Sequence, residues 1–133
     1  MFSWIIEHQA RIISRNGWEF IVENTFTDNL VLGQSIAHDG ACMTLTEWNQ
    51  DSYTFFVMEE SLGVTNFGKK KVGDTFNVER SLKLGDRIDG HMVTWHVDTL
   101  GIVQKTEKKN DGSLILWIRF DKKYKNLKDK KGS

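Results

Sequence analysis

Apolar and polar residues alternate in short runs along most of this chain, and such runs, broken by glycine, asparagine and aspartate, favour strands over long amphipathic helices. The alternation predicts strands at residues 2–6, 10–14, 18–23, 35–38, 42–48, 53–58 and 75–80. A new run begins roughly every eight to twelve residues, the spacing of a small barrel or sandwich. Asp39-Gly40, between "SIAH" and "ACMTLTEW", is a tight-turn signal, because glycine accepts the positive φ of a type I′ hairpin. The alternation lapses at 27–30 and 61–67, where short helical turns are expected.

After residue 80 the stretch "SLKLGDRIDG" is polar and glycine-punctuated, and reads as a connector. Beyond it the alternation resumes, with strands expected at 92–98, 101–106 and 114–120 and a "KNDG" turn between the last two. The opening itself returns: "MFSWIIE" at Met1 has its counterpart in "MVTWHVD" at Met92, with Trp4 and Trp95 in the same register. A duplicated unit, its second copy running only to about its middle at Ser133, accounts for this echo; coincidence between two strand openings is the alternative.

Composition narrows the class. Of 133 residues, 39% are hydrophobic and 27% charged, as in ordinary soluble globular domains. Eighteen basic residues balance eighteen acidic ones, so the molecule offers no broad attraction to nucleic acid or membrane lipid, and neither is expected as a partner. Residues 122–131 hold six lysines against one acid, either a phosphate contact or, more plainly, a solvated end with no aromatic groove beside it. The single cysteine, Cys42, excludes an internal disulfide framework and a multi-cysteine zinc site. With no apolar run near the ~18 residues of a membrane span and no signal-peptide pattern, a cytoplasmic location is expected. The four histidines are not spaced as metal ligands, and His38 and His91 fall at turns where solvent contact is expected.

Four stretches read together carry a resemblance: "MFSWIIE", "SIAHDGACMTLTE" at 35–47, "VMEESLGVTNFGKKKVGDTFNVERSLKLGDRIDGH" at 57–91 and "HMVTWHVDTLG" at 91–101. In order and spacing the chain resembles the alpha-chain riboflavin synthase family. The resemblance implies an all-β fold, a six-stranded Greek-key barrel followed by the first strands of a second, homologous barrel. Its parts would be a first lumazine-binding barrel at 1–86, a connector at 87–90 and an incomplete second barrel at 91–133. It implies dismutation of two molecules of 6,7-dimethyl-8-ribityllumazine to riboflavin and 5-amino-6-(D-ribitylamino)uracil, with no metal or other cofactor. The alternative it leaves open is a non-catalytic lumazine- or flavin-binding protein of the same fold. Homotrimers, with the site between barrels of two subunits, and a partnership with lumazine synthase belong to the same expectation.

By match to the family's motif positions, His96, Cys42 and Ser35 are the candidate catalytic residues. The implied substrate contacts are Ser3, Trp4, Ile5 and Ile6 in the first opening, and Ala41, Cys42, Met43 and Thr44 on the fourth predicted element. Phe56, Val57, Met58, Glu59, Glu60 and Ser61 follow, then Trp95, His96 and Val97 in the second opening, and Lys131. Several have plainer readings from the residues alone. Cys42 on an alternating strand is often a small buried hydrophobe, His96 an interior histidine bonded to a strand, and Glu59-Glu60 a solvated loop edge. The chain departs from the family pattern in three ways. Trp4 and Trp95 stand where the family has glycine, Gly63 where it often has arginine, and the second copy lacks its later strands. The two tryptophans imply an altered or filled pocket, a ring that stacks on the ligand, or codons that the source reads as glycine.

Overall fold

The strands of the first 80 residues turn their apolar positions to one side, and that side becomes the inside of a closed antiparallel barrel. The computed structural model describes residues 1–88 and 90–127, the side chains of 125–127 excepted. Strands β1 (His8–Asn16), β2 (Glu19–Glu23), β3 (Ser35–His38), β4 (Ala41–Trp48), β5 (Ser52–Phe56) and β6 (Thr75–Arg80) close in the order β1-β2-β5-β4-β3-β6. The sheet closes where β6 pairs with β1, Ala10 opposite Phe76. The pairs β2 with β5 and β3 with β6 are not sequential neighbours, which gives the Greek-key character. At the β3–β4 hairpin both central residues are left-handed, Asp39 with φ 45° and Gly40 with φ 82°, as a type I′ turn requires.

Period-two alternation sorts each strand. On β4, Ala41, Met43 and Leu45 are buried, while Cys42 is half-buried and Thr44 and Thr46 exposed. The core is mainly aromatic. Phe20 and Phe55 stack with centroids 5.5 Å apart and planes 3° from parallel, and Phe76 and Phe67 meet them at steeper angles. Phe67 is not on a strand. Helix α1 (Glu59–Val64) and a 3-10 turn at Asn66–Lys69 carry it in, with Thr65 Oγ1 accepting from the Phe67 amide. The helical turn expected at 61–67 is therefore present, as two short pieces.

Two expected strands are absent. Residues 2–6 and 92–98 form no regular strand; they make a single antiparallel bridge, Phe2 with Val93, with amide–carbonyl bonds of 3.0 and 3.1 Å in the two directions. The cause is local: Trp4 has φ 66° and Trp95 φ 55°, and a left-handed residue breaks extended backbone. The expected turn at 27–30 is an irregular bend that buries Phe26 and Leu30. The solvent contact expected for His38 is also wrong. Its ring is 1% exposed, packed among Tyr53, Phe55 and Phe76, because it is the last inward residue of β3 rather than part of the turn.

The chain divides into two compact units, Met1–Val97 and Asp98–Ser133. The second contains the hairpin of β7 (Ile102–Lys108) and β8 (Leu114–Arg119), turned with Gly112 at φ 87°. Ile102, Val103, Leu114, Trp117 and Ile118 are all exposed on it. A two-stranded ribbon has too little surface to bury its own apolar residues.

Phe67→Ala should cost about 3–5 kcal/mol in urea unfolding, the usual range for emptying a buried aromatic site; a loss below about 1 kcal/mol would mean that the core closes without this plug. His38 gives a pH signature. Its Nδ1–H donates to the Ile36 carbonyl (3.1 Å), which leaves Nε2 to accept from the Tyr53 hydroxyl (2.9 Å). Burial lowers its pKa from 6.5 to about 3, and the same desolvation raises that of the Tyr53 phenol. The unfolded chain takes up a proton near pH 6.5 that the folded barrel refuses, so this contribution is complete above 6.5 and declines as pH falls toward 3. Between pH 6.5 and 5 the loss should approach ~1.4 kcal/mol per pH unit, and His38→Gln should flatten it; equal slopes for the two proteins would refute the assignment.

Candidate functional site

The outer face of the barrel collects hydroxyl and thiol groups because β3 and β4 turn Ser35, Cys42 and Thr44 outward. Ser35 and Thr44 are register partners, and Cys42 lies two residues before Thr44 on the same side. The Cys42 thiol is half-buried on this outer face, which is not the core position of a small hydrophobe. Ser81 donates its amide to the Ser35 carbonyl (3.1 Å), and the Cys42 amide donates to the Trp95 carbonyl (2.9 Å). The second opening is thus sewn to the same strand that carries Cys42.

A buried carboxylate holds both openings. Glu79 is 2% exposed although it lies on the outward set of β6, because the opening segments cover it. Its Oε1 accepts from the Ser3 amide (2.5 Å) and the Ser3 hydroxyl (2.9 Å), and its Oε2 from the Trp95 indole N–H (2.9 Å). Three donors satisfy a charge that would otherwise be costly to bury. The Ser3 carbonyl in turn accepts from the His91 amide. Farther along, Glu7 pins the segment's other end. Its carboxylate accepts from the Arg80 guanidinium at 2.6 and 3.0 Å, and Arg80 lies over the Phe26 ring and reaches Asp28.

Held at both ends, the first opening divides the surface. Ser3, Ile5 and Glu7 line one groove with Asp28, Gln34, Arg80 and Ser81, while Trp4 and Ile6 line another with Asp39, Asn66, Lys70 and Asn77. In the second groove Asp39 accepts from the Lys70 ammonium (2.7 Å), the Asn66 amide group (2.9 Å) and the Asn77 backbone (2.8 Å). Trp4 and Trp95 meet edge to face there, centroids 5.7 Å apart, with the Trp95 ring against the Gly40 turn.

The candidate residues separate into three groups. Ser3, Trp4, Trp95 and the Cys42 backbone form one connected cluster, with Ser35 and Thr44 beside it on the paired strands. Ala41, Met43 and Val57 send their side chains into the core, so only their backbone faces out. Phe56, Met58, Glu59 and Glu60 are exposed at the end of β5 and the first turn of α1, where two carboxylates suit the positive helix end; Ser61 is half-buried. His96 is exposed between half-buried Trp95 and Val97, which removes the interior reading; Ile5 and Ile6 are exposed, and Lys131 lies outside the described residues. Glu79 was missed by sequence reasoning. The only signal for it was the acid–base pair Glu79-Arg80 closing a predicted strand, and alternation alone assigns that glutamate to solvent.

Residues 4–81 match the family described as the lumazine binding domain. Riboflavin synthase of Escherichia coli (strain K12) is 40% identical over 111 residues, 79% of this chain and 52% of that protein. Riboflavin synthase of Buchnera aphidicola subsp. Schizaphis graminum is 34% identical over 125 residues, 90% of this chain and 60% of that protein. The chain spans roughly half the length of these curated relatives. The crystal structure of LumP complexed with 6,7-dimethyl-8-(1'-D-ribityl) lumazine has the same fold, with a TM-score of 0.73 at 21% identity over 92% of this chain and 70% of that one.

Replacing Glu79 by Ala leaves the Ser3 and Trp95 donors without an acceptor, and should cost at least about 2 kcal/mol in urea unfolding, with a red shift in tryptophan emission as the openings loosen. Unchanged stability and emission would show that Glu79 does not hold them.

Proposed function

Because the chain belongs to the lumazine-binding domain family, we propose that its first barrel binds 6,7-dimethyl-8-ribityllumazine and that it acts in riboflavin synthesis. One observation carries this reading. The family match, residues 4–81, coincides with a closed barrel whose outer face gathers Ser35, Cys42 and Thr44 beside both opening segments. A flat ring laid on that face meets two hydroxyls and a thiol from paired strands.

The reaction of this reading is riboflavin synthase chemistry. Two lumazines react, a four-carbon unit passes from one to the other, and the products are riboflavin and 5-amino-6-(D-ribitylamino)uracil. The transfer is a dismutation, so atoms and electrons balance between the two substrates and no outside oxidant enters. His96, exposed in the second opening, is the proton carrier in this scheme, with Ser35 and Cys42 as the other candidate groups. Residues 91–133 would be the opening part of the second copy, with Lys131 contacting ligand, and the working assembly a homotrimer that brings a first and a second barrel together.

A second reading, a non-catalytic lumazine or flavin carrier, is supported by the closure of the first barrel through β1 and β6. Titration calorimetry with the lumazine, beside a riboflavin-formation assay, separates the two. The expected result for the 133-residue chain is one ligand per first barrel with turnover far below that of the full-length relatives. Turnover equal to theirs would refute the carrier reading and any need for a complete second site, and absence of binding would refute both readings. Thr44→Ala should weaken binding about fivefold, the worth of one hydrogen bond of ~1 kcal/mol.

A further inference from the structure

Among the described residues, the non-glycine positions with positive φ are Asp39, Trp4 and Trp95. Asp39 belongs to the class that enters the left-handed region at small cost, and it sits in a type I′ turn that demands it. Tryptophan has no such allowance, since its Cβ is driven toward the following carbonyl oxygen. The two tryptophans also hold the same place in the repeat, three residues after Met1 and three after Met92. Two independent copies thus impose glycine-type backbone at one equivalent position.

The rings do not account for the strain. Trp4 is 44% exposed and touches Trp95 and His91 only edge-on. The Trp95 ring crowds the Gly40 turn so closely that a methyl group at residue 40 would stand 2.9 Å from Cζ3. Beside the side-chain anchors at Glu79 and Glu7, main-chain bonds fasten the openings at three points: the Phe2–Val93 bridge, the His91 amide on the Ser3 carbonyl, and the Cys42 amide on the Trp95 carbonyl. Ser3 gives Glu79 two donors at Oε1, and the indole N–H of Trp95 adds the third at Oε2. The fold therefore uses the backbone shape of residues 4 and 95, and of their two side chains it draws on the Trp95 indole N–H at Glu79.

The triplet UGA is read as tryptophan under one genetic code and as glycine under another. We infer that residues 4 and 95 are glycine positions, and that the cell from which this sequence comes inserts glycine there at UGA codons. The remaining three tryptophans, Trp18, Trp48 and Trp117, lie outside the left-handed region and carry no such mark. Glycine at both positions clears two indoles from the groove of Gln9, Asp39, Asn66, Lys70 and Asn77, and bares the Gly40 turn beside Cys42. The two residues thereby decide whether that groove is open or filled.

The backbone claim is tested by pairs of variants that remove the same ring. At ordinary positions alanine stabilises relative to glycine, and where φ is positive the order inverts. Thermal melts of the 133-residue chain should place Trp4→Gly above Trp4→Ala and Trp95→Gly above Trp95→Ala by several degrees. The coding claim is tested by the gene and by the intact mass of the protein from its native source, which should show UGA at both codons and the mass of the diglycine chain. Alanine melting at or above glycine at either position, or UGG at either codon, would overturn the inference.

Discussion

Strand β6 is the constraint on which the rest depends. A six-stranded antiparallel sheet keeps two free edges unless its first and last strands meet, and β6 closes it by pairing with β1 on one side and β3 on the other. That double pairing sets which residues face inward across the closure, so Phe76 and Val78 join Phe20, Phe55 and Phe67 in the core. It also sets where Glu79 stands. Lying on the outward set of a strand at the centre of the closure, Glu79 is placed under the segment that must cross it.

The openings are consequently held by their ends and not by a ladder. Ser3 and Trp95 bond to Glu79, Glu7 bonds to Arg80, and Phe2 and Val93 pair only with each other. Between those anchors Ser3, Ile5 and Glu7 fall on one side of the first opening and Trp4 and Ile6 on the other, which is why one short segment lines two grooves. The same two residues that make the repeat visible in the sequence, Trp4 and Trp95, are those whose backbone departs most from a strand. The repeat is a repeat of backbone shape.

Much of the barrel was legible because its strands obey a period of two. Predicted and observed bounds agree for β3 and β6 and differ by one to a few residues for β1, β2, β4 and β5, and the Asp39-Gly40 turn has the left-handed pair its chemistry implies. Cys42 and Thr44 were legible as site-lining residues only through the family resemblance, since alternation alone left Cys42 a small buried hydrophobe, and the structure puts both on the outward set of β4. The failures have a common cause. Extended-looking residues 2–6 and 92–98 were assigned to strands from apolar content, although a strand also needs a neighbour to bond and a backbone without positive φ. His38 was assigned to a turn because it precedes Asp39-Gly40, although the alternation of "SIAH" ends with it facing in.

By itself the sequence determined the strand set, the hairpin turn, the family and the internal echo, because each rests on local chemistry: alternation, glycine before a reversal, and matched motifs in order. Tertiary structure alone decided that Glu79 is buried and triply bonded, that His38 is a neutral imidazole inside the core, and that the two openings bond to each other. Those facts depend on which distant segments cover a given residue. A side chain on the outward set of a strand looks solvated from its neighbours in sequence, and becomes an anchor only when chain closure lays residues from 76 and 16 positions away across it.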